Sequence, residues 1–265
     1  MVNFMNIPNI FNKYISDWEH EVDTVGLSNA GVYLFKDMVL KIQPVSEESD
    51  NELQMMQWLR GKINVPNIIE QITDNSYSYI LMSRCRGDMC CADQFMKNPL
   101  KQAEILANTL FQLWDIPVDG CPCSWPLEKR LKEAAKNVES NNIDIAHTEP
   151  TTFGKNGFKN HEELLKWLID NKPKETKVIT HGDFCLPNIF ADDSGLTGLI
   201  DLGRAGVADK WQDIAICYRS LSNNYSGKYN GIKYSGYQNE MLFNALGIDP
   251  DWEIIRYYIL LDELF

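Results

Sequence analysis

The segment His181-Gly182-Asp183-Phe184-Cys185-Leu186-Pro187-Asn188 concentrates the groups that could do chemistry in this 265-residue chain. An Asp followed five residues later by an Asn, in a loop between short apolar strands, is the spacing of a phosphoryl-transfer catalytic loop. In that layout Asp183 faces an attacking hydroxyl, and the side-chain carbonyl of Asn188 can ligate a metal. Thirteen residues after Asn188, Asp201 follows an apolar strand and precedes Leu202-Gly203, a placement that suits a second magnesium ligand. Magnesium is the expected ion because several phosphate charges must be neutralised by hard oxygen ligands. Either half alone would be compatible with a turn; the ordered combination is specific. His181 reads as a brace for the loop.

A phosphoryl-transfer reading makes a demand on the rest of the chain. A strand Lys should hold the nucleotide phosphates and pair with a Glu on the following helix. Lys41 ends the apolar run Met38-Val39-Leu40, where a Lys is costly unless paired. Glu52 follows eleven residues later, at the start of the inward face of a helix opened by Ser46-Glu47-Glu48-Ser49.

The elements that must position these groups can be read from periodicity. Residues 10–18 suggest a short helix, and 32–35 and 38–42 paired strands turning at Lys36-Asp37. Residues 68–73 and 77–82 suggest two further strands. Helical spacing then recurs over 103–114, 127–138, 161–171, 211–221, 238–246 and 252–264, with short strands at 178–180, 188–190 and 196–200. Residues 144–160, rich in Thr, Gly and Asn, form the longest expected loop. The expected fold is α+β and bilobal. A small β-sheet lobe over 1–82 joins through a hinge at 83–88 to a larger, mainly helical lobe over 89–265, with an interlobe cleft.

Composition narrows the partners. With 25 Lys+Arg against 37 Asp+Glu the net charge is −12, which opposes nucleic-acid or anionic-membrane binding and is compatible with a cationic ligand. No apolar run is long enough to span a bilayer, and the N-terminus lacks a secretory pattern. Seven cysteines in no regular framework point to free thiols in a reducing cytoplasm. No obligate protein partner is expected.

The chain resembles the aminoglycoside 3′-phosphotransferases, the kanamycin kinases of the protein-kinase-like superfamily. The resemblance rests on His181–Asn188, Ile200-Asp-Leu-Gly-Arg204, Gly206-Val-Ala-Asp-Lys-Trp-Gln-Asp-Ile-Ala215 and Tyr257-Tyr-Ile-Leu-Leu-Asp-Glu-Leu-Phe265, and runs over essentially the whole chain. It implies a kinase-like fold and ATP-dependent phosphorylation of an aminoglycoside 3′-hydroxyl, conferring resistance, with GTP as the other candidate nucleotide. It further implies that Ser28 and nearby amides touch the phosphates with Lys41 and Glu52, and that Ser83 to Cys85 form the hinge against the purine. Asp183 would deprotonate the 3′-hydroxyl, and Asn188 and Asp201 would hold magnesium. By the same resemblance Arg204 and Arg219 shape the catalytic cleft and contact substrate. Asp262, Glu263 and the Phe265 carboxylate would face ammonium groups of the drug.

Carboxylates at a helix C-terminus oppose the macrodipole, so the terminal acidic cluster itself invites a binding explanation. The chain departs from the family pattern at Leu186, at Asn223 and Asn224, and at Val39. Its 144–160 loop offers only Asp144 and Glu149 as substrate carboxylates. The competing readings are a macrolide, choline or sugar kinase of the same superfamily, and a catalytically inactive nucleotide-binding module. The second would lose Lys41, Asp183, Asn188 or Asp201, and all four are present.

Overall fold

Alternation along the first strands sorts apolar side chains to two faces. The computed structural model describes residues 7–15, 20–22, 30–141, 143, 148–149, 151–155 and 157–265. Two compact units emerge: one groups the described residues up to Ala92 with Pro187–Arg204, and the other groups Asp93–Leu186 with Ala205–Phe265. The stretch 187–204, far along the chain, thus packs with the N-terminal residues.

The first unit carries a five-stranded antiparallel sheet in the order β1-β2-β3-β5-β4. Its strands are β1 (Glu21–Val22), β2 (Gly31–Leu34), β3 (Met38–Pro44), β4 (Ile68–Thr73) and β5 (Tyr77–Ser83). Tyr33, Leu40, Ile42, Tyr79 and Leu81 point to one face and pack with Phe11, Ile15 and Phe35 into a core. Burying such a side chain contributes roughly 1.5–3 kcal/mol. The opposite face is left to Val32, Leu34, Val39, Lys41 and Met82, which line a cavity. The strand period of two therefore places Lys41 on the cavity face while Leu40 and Ile42 anchor the strand.

The expected helix at 10–18 is, over its described part, a single 3₁₀ segment at Asn9–Lys13. Helix α1 (Glu47–Leu59) opens on a capping box: Ser46 Oγ accepts from Ser49 N–H at 3.1 Å and Ser46 N–H donates to Ser49 Oγ at 2.9 Å. Its buried face carries Glu52, Met55, Met56 and Leu59. A second, three-stranded sheet runs β6-β8-β9, with β6 at Asp88–Met89, β8 at Ile189–Asp192 and β9 at Gly195–Leu199.

The second unit is mainly helical. It contains α2 (Asp93–Met96), α3 (Pro99–Trp114), α4 (Leu127–Ser140), α5 (His161–Asp170), α6 (Lys210–Ser226), α7 (Glu240–Leu246) and α8 (Trp252–Asp262). A two-stranded antiparallel ribbon of β7 (Lys177–Thr180) and β10 (Gly206–Asp209) leads into the segment 181–188. The expected helices all form. Two grow substantially: Pro99 at the first turn adds a turn to α3, and α6 runs on to Gly227, whose left-handed φ of 78° ends it. Among the described residues no helix is long and apolar enough to cross a membrane.

Candidate active site

In the first unit a cavity of about 420 Å³ is lined by Lys41, Glu52, Ser83, Cys85, Phe190 and Asp201, among others. Lys41 is 7% exposed and Glu52 only 2%. The Lys41 ammonium donates to both Glu52 oxygens, at 2.8 and 2.9 Å, and to Asp201 Oδ1 at 2.5 Å. Burial disfavours the Lys41 charge, but the Glu52 and Asp201 carboxylates outweigh it and hold its pKa above the ordinary lysine value. Gln43 Nε2 donates a further bond to Glu52 Oε2 at 2.7 Å. A cation fixed in this way is a preformed partner for an anionic ligand.

Asp201 adopts φ of 56°, a left-handed conformation unusual outside Gly, and its side chain is 44% exposed. Asn188 is 6% exposed, and its backbone carbonyl accepts from Ile200 N–H at 3.1 Å, which ties the two candidate metal-ligand segments together. One carboxylate and one amide oxygen suit magnesium, which takes few protein ligands and keeps waters and phosphate oxygens around it.

Ser83 and Cys85 both line the cavity. The Ser83 backbone N–H is engaged by Asn67 O at 2.9 Å, and its Oγ accepts from Asn67 N–H at 2.9 Å. Burial pushes the Cys85 thiol up to about 11, so it remains protonated at neutral pH. Gly198 faces it so closely that a Cβ there would strike Sγ. Ser28 lies outside the described residues. Arg204 forms a salt bridge to Glu48 on α1, Nε to Oε1 at 2.8 Å, so in this unit it acts as a tie to the helix that carries Glu52.

In the second unit the loop around Asp183 hangs from α6. Gly182, at φ of 85°, makes the turn that a side chain would strain. The buried Asp213 carboxylate accepts from His181 N–H at 2.7 Å and from Gly182 N–H at 2.9 Å. Gln212 Nε2 donates to Gly182 O at 2.8 Å, and Ser220 Oγ accepts from Leu186 N–H at 3.0 Å. His181 is fully buried and its Nδ1 accepts from Asp183 N–H at 3.3 Å, which fits the bracing role. The Asp183 side chain is left half-buried. Asp213, Gln212 and Ser220 were not identified from the sequence. The available signal was a carboxylate amid the apolar residues of α6, where a charge needs a partner.

Burial pushes the Asp213 carboxyl up to about 7, against the lowering effect of the two backbone donors. Folding thus raises it from about 4. Its favourable contribution to stability is fully present below that value and is lost as pH rises through about 7. Asp213→Asn should flatten this part of the stability–pH curve. The Asn also turns an N–H₂ toward a backbone donor, so an unpaired buried group costs about 1–3 kcal/mol, and kcat should fall at least about tenfold. Urea melts at stepped pH and steady-state kinetics check both outcomes.

The expected substrate residues on this unit meet, but largely on each other. Arg219 Nη2 contacts Asp262 Oδ2 at 2.5 Å, and Arg130 Nη2 lies 3.6 Å from Asp262 Oδ1. Burial disfavours the Arg219 charge, yet Asp262 outweighs it, with Tyr229 and Asp183 adding to the rise in its pKa. Glu263 is 6% exposed and its Oε1 accepts from Glu149 N–H at 3.0 Å and Thr152 Oγ1 at 2.9 Å. Burial raises its pKa, partly countered by these donors. The Phe265 ring lies 5.0 Å under the Arg130 guanidinium. Asp262 is thus paired with arginines, and Glu263 with the Glu149 N–H and the Thr152 hydroxyl.

Residues 19–258 match the model of the phosphotransferase enzyme family. The chain belongs to that family. Its relatives include the aminoglycoside 3′-phosphotransferase of Enterococcus faecalis, 35% identical over 98% of this chain and 99% of the relative. The Campylobacter jejuni enzyme of the same name is 38% identical over 81% of this chain and 80% of the relative. The phosphotransferase fold is shared with a solved aminoglycoside phosphotransferase from Streptomyces rimosus, with a TM-score of 0.78, 22% identity, and coverage of 97% of this chain and 96% of that one. The α+β, kinase-like fold is thereby established for this phosphotransferase. With full-length relatives of this kind, its place is among the aminoglycoside 3′-phosphotransferases, which transfer phosphate to an alcohol.

Proposed function

We infer that this enzyme transfers the γ-phosphoryl group of ATP to the 3′-hydroxyl of aminoglycoside antibiotics and so confers resistance to them. The observation that carries the reading is the Lys41–Glu52–Asp201 triad, its lysine and glutamate buried, on the wall of a nucleotide-sized cavity. Lys41 binds phosphate oxygens, Glu52 fixes its position, and the strand–cavity alternation presents Val32, Val39 and Met82 to the base. Ser83 and Cys85 border that apolar wall, and Ser28 is assigned to the phosphates by resemblance. Asn188 and Asp201 would hold magnesium, which when bound supplies charge neutralisation on the transferring phosphate. Asp183 accepts the proton of the 3′-hydroxyl, worth ~10²–10⁴-fold, while positioning and fixed charges supply most of the remaining acceleration.

The S. rimosus neighbour was also solved in complex with ADP and streptomycin, which supports adenine nucleotide use. An apolar cavity with Val39 at the stacking position leaves GTP as a second donor to be tested. The seven free cysteines support a reducing, cytoplasmic setting. Glu149, Arg219, Asp262, Glu263 and Phe265 are proposed to shape the drug site. For Asp262 and Glu263 the role is indirect, through Arg219 and through Glu149 and Thr152.

The test is ADP release coupled to NADH oxidation, against kanamycin, neomycin, tobramycin (which lacks the 3′-hydroxyl), choline and a macrolide. Turnover is expected with kanamycin and neomycin alone. Turnover with choline or the macrolide and not with kanamycin would overturn the substrate assignment.

A further inference from the structure

The carboxylates that a polycation could reach on the second unit are not equivalent. Asp262 lies between two guanidinium groups, and Glu263 is buried with its Oε1 held by the Glu149 N–H and the Thr152 hydroxyl. Glu149 differs from both. Its side chain is 27% exposed, and its Oε1 receives the Lys228 ammonium at 2.8 Å, a side chain itself 36% exposed. Asn223 Nδ2 donates to the same oxygen at 3.2 Å and to Tyr229 Oη at 3.1 Å. Lys228 sits at the first position beyond the left-handed Gly227 that ends α6, and its N–H is anchored on Asn223 O at 3.0 Å. Burial acts to raise the Glu149 carboxyl, but Lys228 and Asn223 outweigh it and hold it below the usual range, so it is ionised at neutral pH. A half-exposed ammonium–carboxylate pair has little net strength and is readily exchanged for another cation.

The geometry points to Lys228 as a specificity-determining residue: its ammonium occupies Glu149 as a stand-in for a substrate ammonium and must be displaced when a polycationic drug binds there. This inference rests on the aminoglycoside reading and deepens it. A drug ammonium arriving at Glu149 gains only the difference between its own pairing and that of Lys228. Lys228 therefore weakens every drug whose binding uses Glu149, and leaves the nucleotide untouched.

The experiment compares Lys228→Met with Lys166→Met. Lys166 forms an exposed pair with Asp170 one turn along α5, so the control removes the same charge elsewhere on the surface. Tobramycin, which has no 3′-hydroxyl to be phosphorylated, is titrated calorimetrically at low and high salt, and KM is measured for kanamycin and for ATP. Lys228→Met should tighten tobramycin and lower kanamycin KM by about two- to fivefold at low salt, with the gain shrinking at high salt. ATP KM should not change, and Lys166→Met should resemble the parent. In a Glu149→Gln background, Lys228→Met should have no effect. Unchanged or weaker tobramycin binding in Lys228→Met would overturn the inference. So would an equal gain in Lys166→Met, or a gain that persists without Glu149. If the parent enzyme neither binds tobramycin nor phosphorylates kanamycin, the aminoglycoside reading itself fails, a distinct result.

Discussion

Asp183→Asn is expected to lower kcat by about 10²–10⁴-fold and to leave ATP affinity unchanged. The substitution keeps the size of the side chain and the turn made by Gly182. It also keeps the bonds from Asp213, Gln212 and Ser220 that suspend the loop. What it removes is the carboxylate proposed to take the hydroxyl proton. Lys41, Glu52 and Asp201 lie in the other compact unit and are untouched, so the nucleotide cavity keeps its charges. Single-turnover chemistry and fluorescence titration with a nucleotide analogue separate the two readouts. A variant that retains most of its kcat would remove Asp183 from the mechanism.

Lys41→Met should damage both stability and catalysis, and the two losses should separate on adding a second change. Glu52, 2% exposed, would lose its cation, and breaking a buried pair costs about 3–5 kcal/mol. Gln43 still donates to Glu52, which places the expected cost toward the lower end of that range. Catalysis should fall by about 10²–10³-fold in kcat/KM for ATP, the scale of losing one preorganised charge in a reacting site. Lys41→Met with Glu52→Gln removes the stranded carboxylate, so the double variant should be more stable than Lys41→Met alone and equally inactive. Chemical denaturation and ATP kinetics on the three proteins measure this. Recovery of activity in the double variant would mean that Lys41 serves only to neutralise Glu52.

The sequence was most legible where the chemistry depends on short spacing. The Asp183–Asn188 interval, the Asp after an apolar strand and a Lys in an apolar run all carry local signals. Alternation on β3 was enough to anticipate that Lys41 would need a partner, and the helix-start signal at Ser46 placed Glu52 on the right helix. Long-range pairing was less visible. The Lys41–Asp201 contact joins residues 160 apart, and Arg204 with Glu48 joins residues 156 apart. No periodicity reports such pairs. Resemblance placed Asp262 and Glu263 near substrate but could not show that Arg219, Arg130, the Glu149 N–H and the Thr152 hydroxyl already occupy them. The support of the catalytic loop by Asp213 was missed for a similar reason: its ligands are backbone N–H groups, which leave no mark in residue type.

The central claim is transfer of one phosphoryl group to a defined hydroxyl, and the structure of the product tests it most directly. Kanamycin incubated with the enzyme, ATP and magnesium should give a single phosphomonoester whose ³¹P resonance correlates with the proton on carbon 3′. A ³¹P correlation to any other sugar proton, or recovery of unmodified kanamycin after ATP and active enzyme have been verified, would contradict the account.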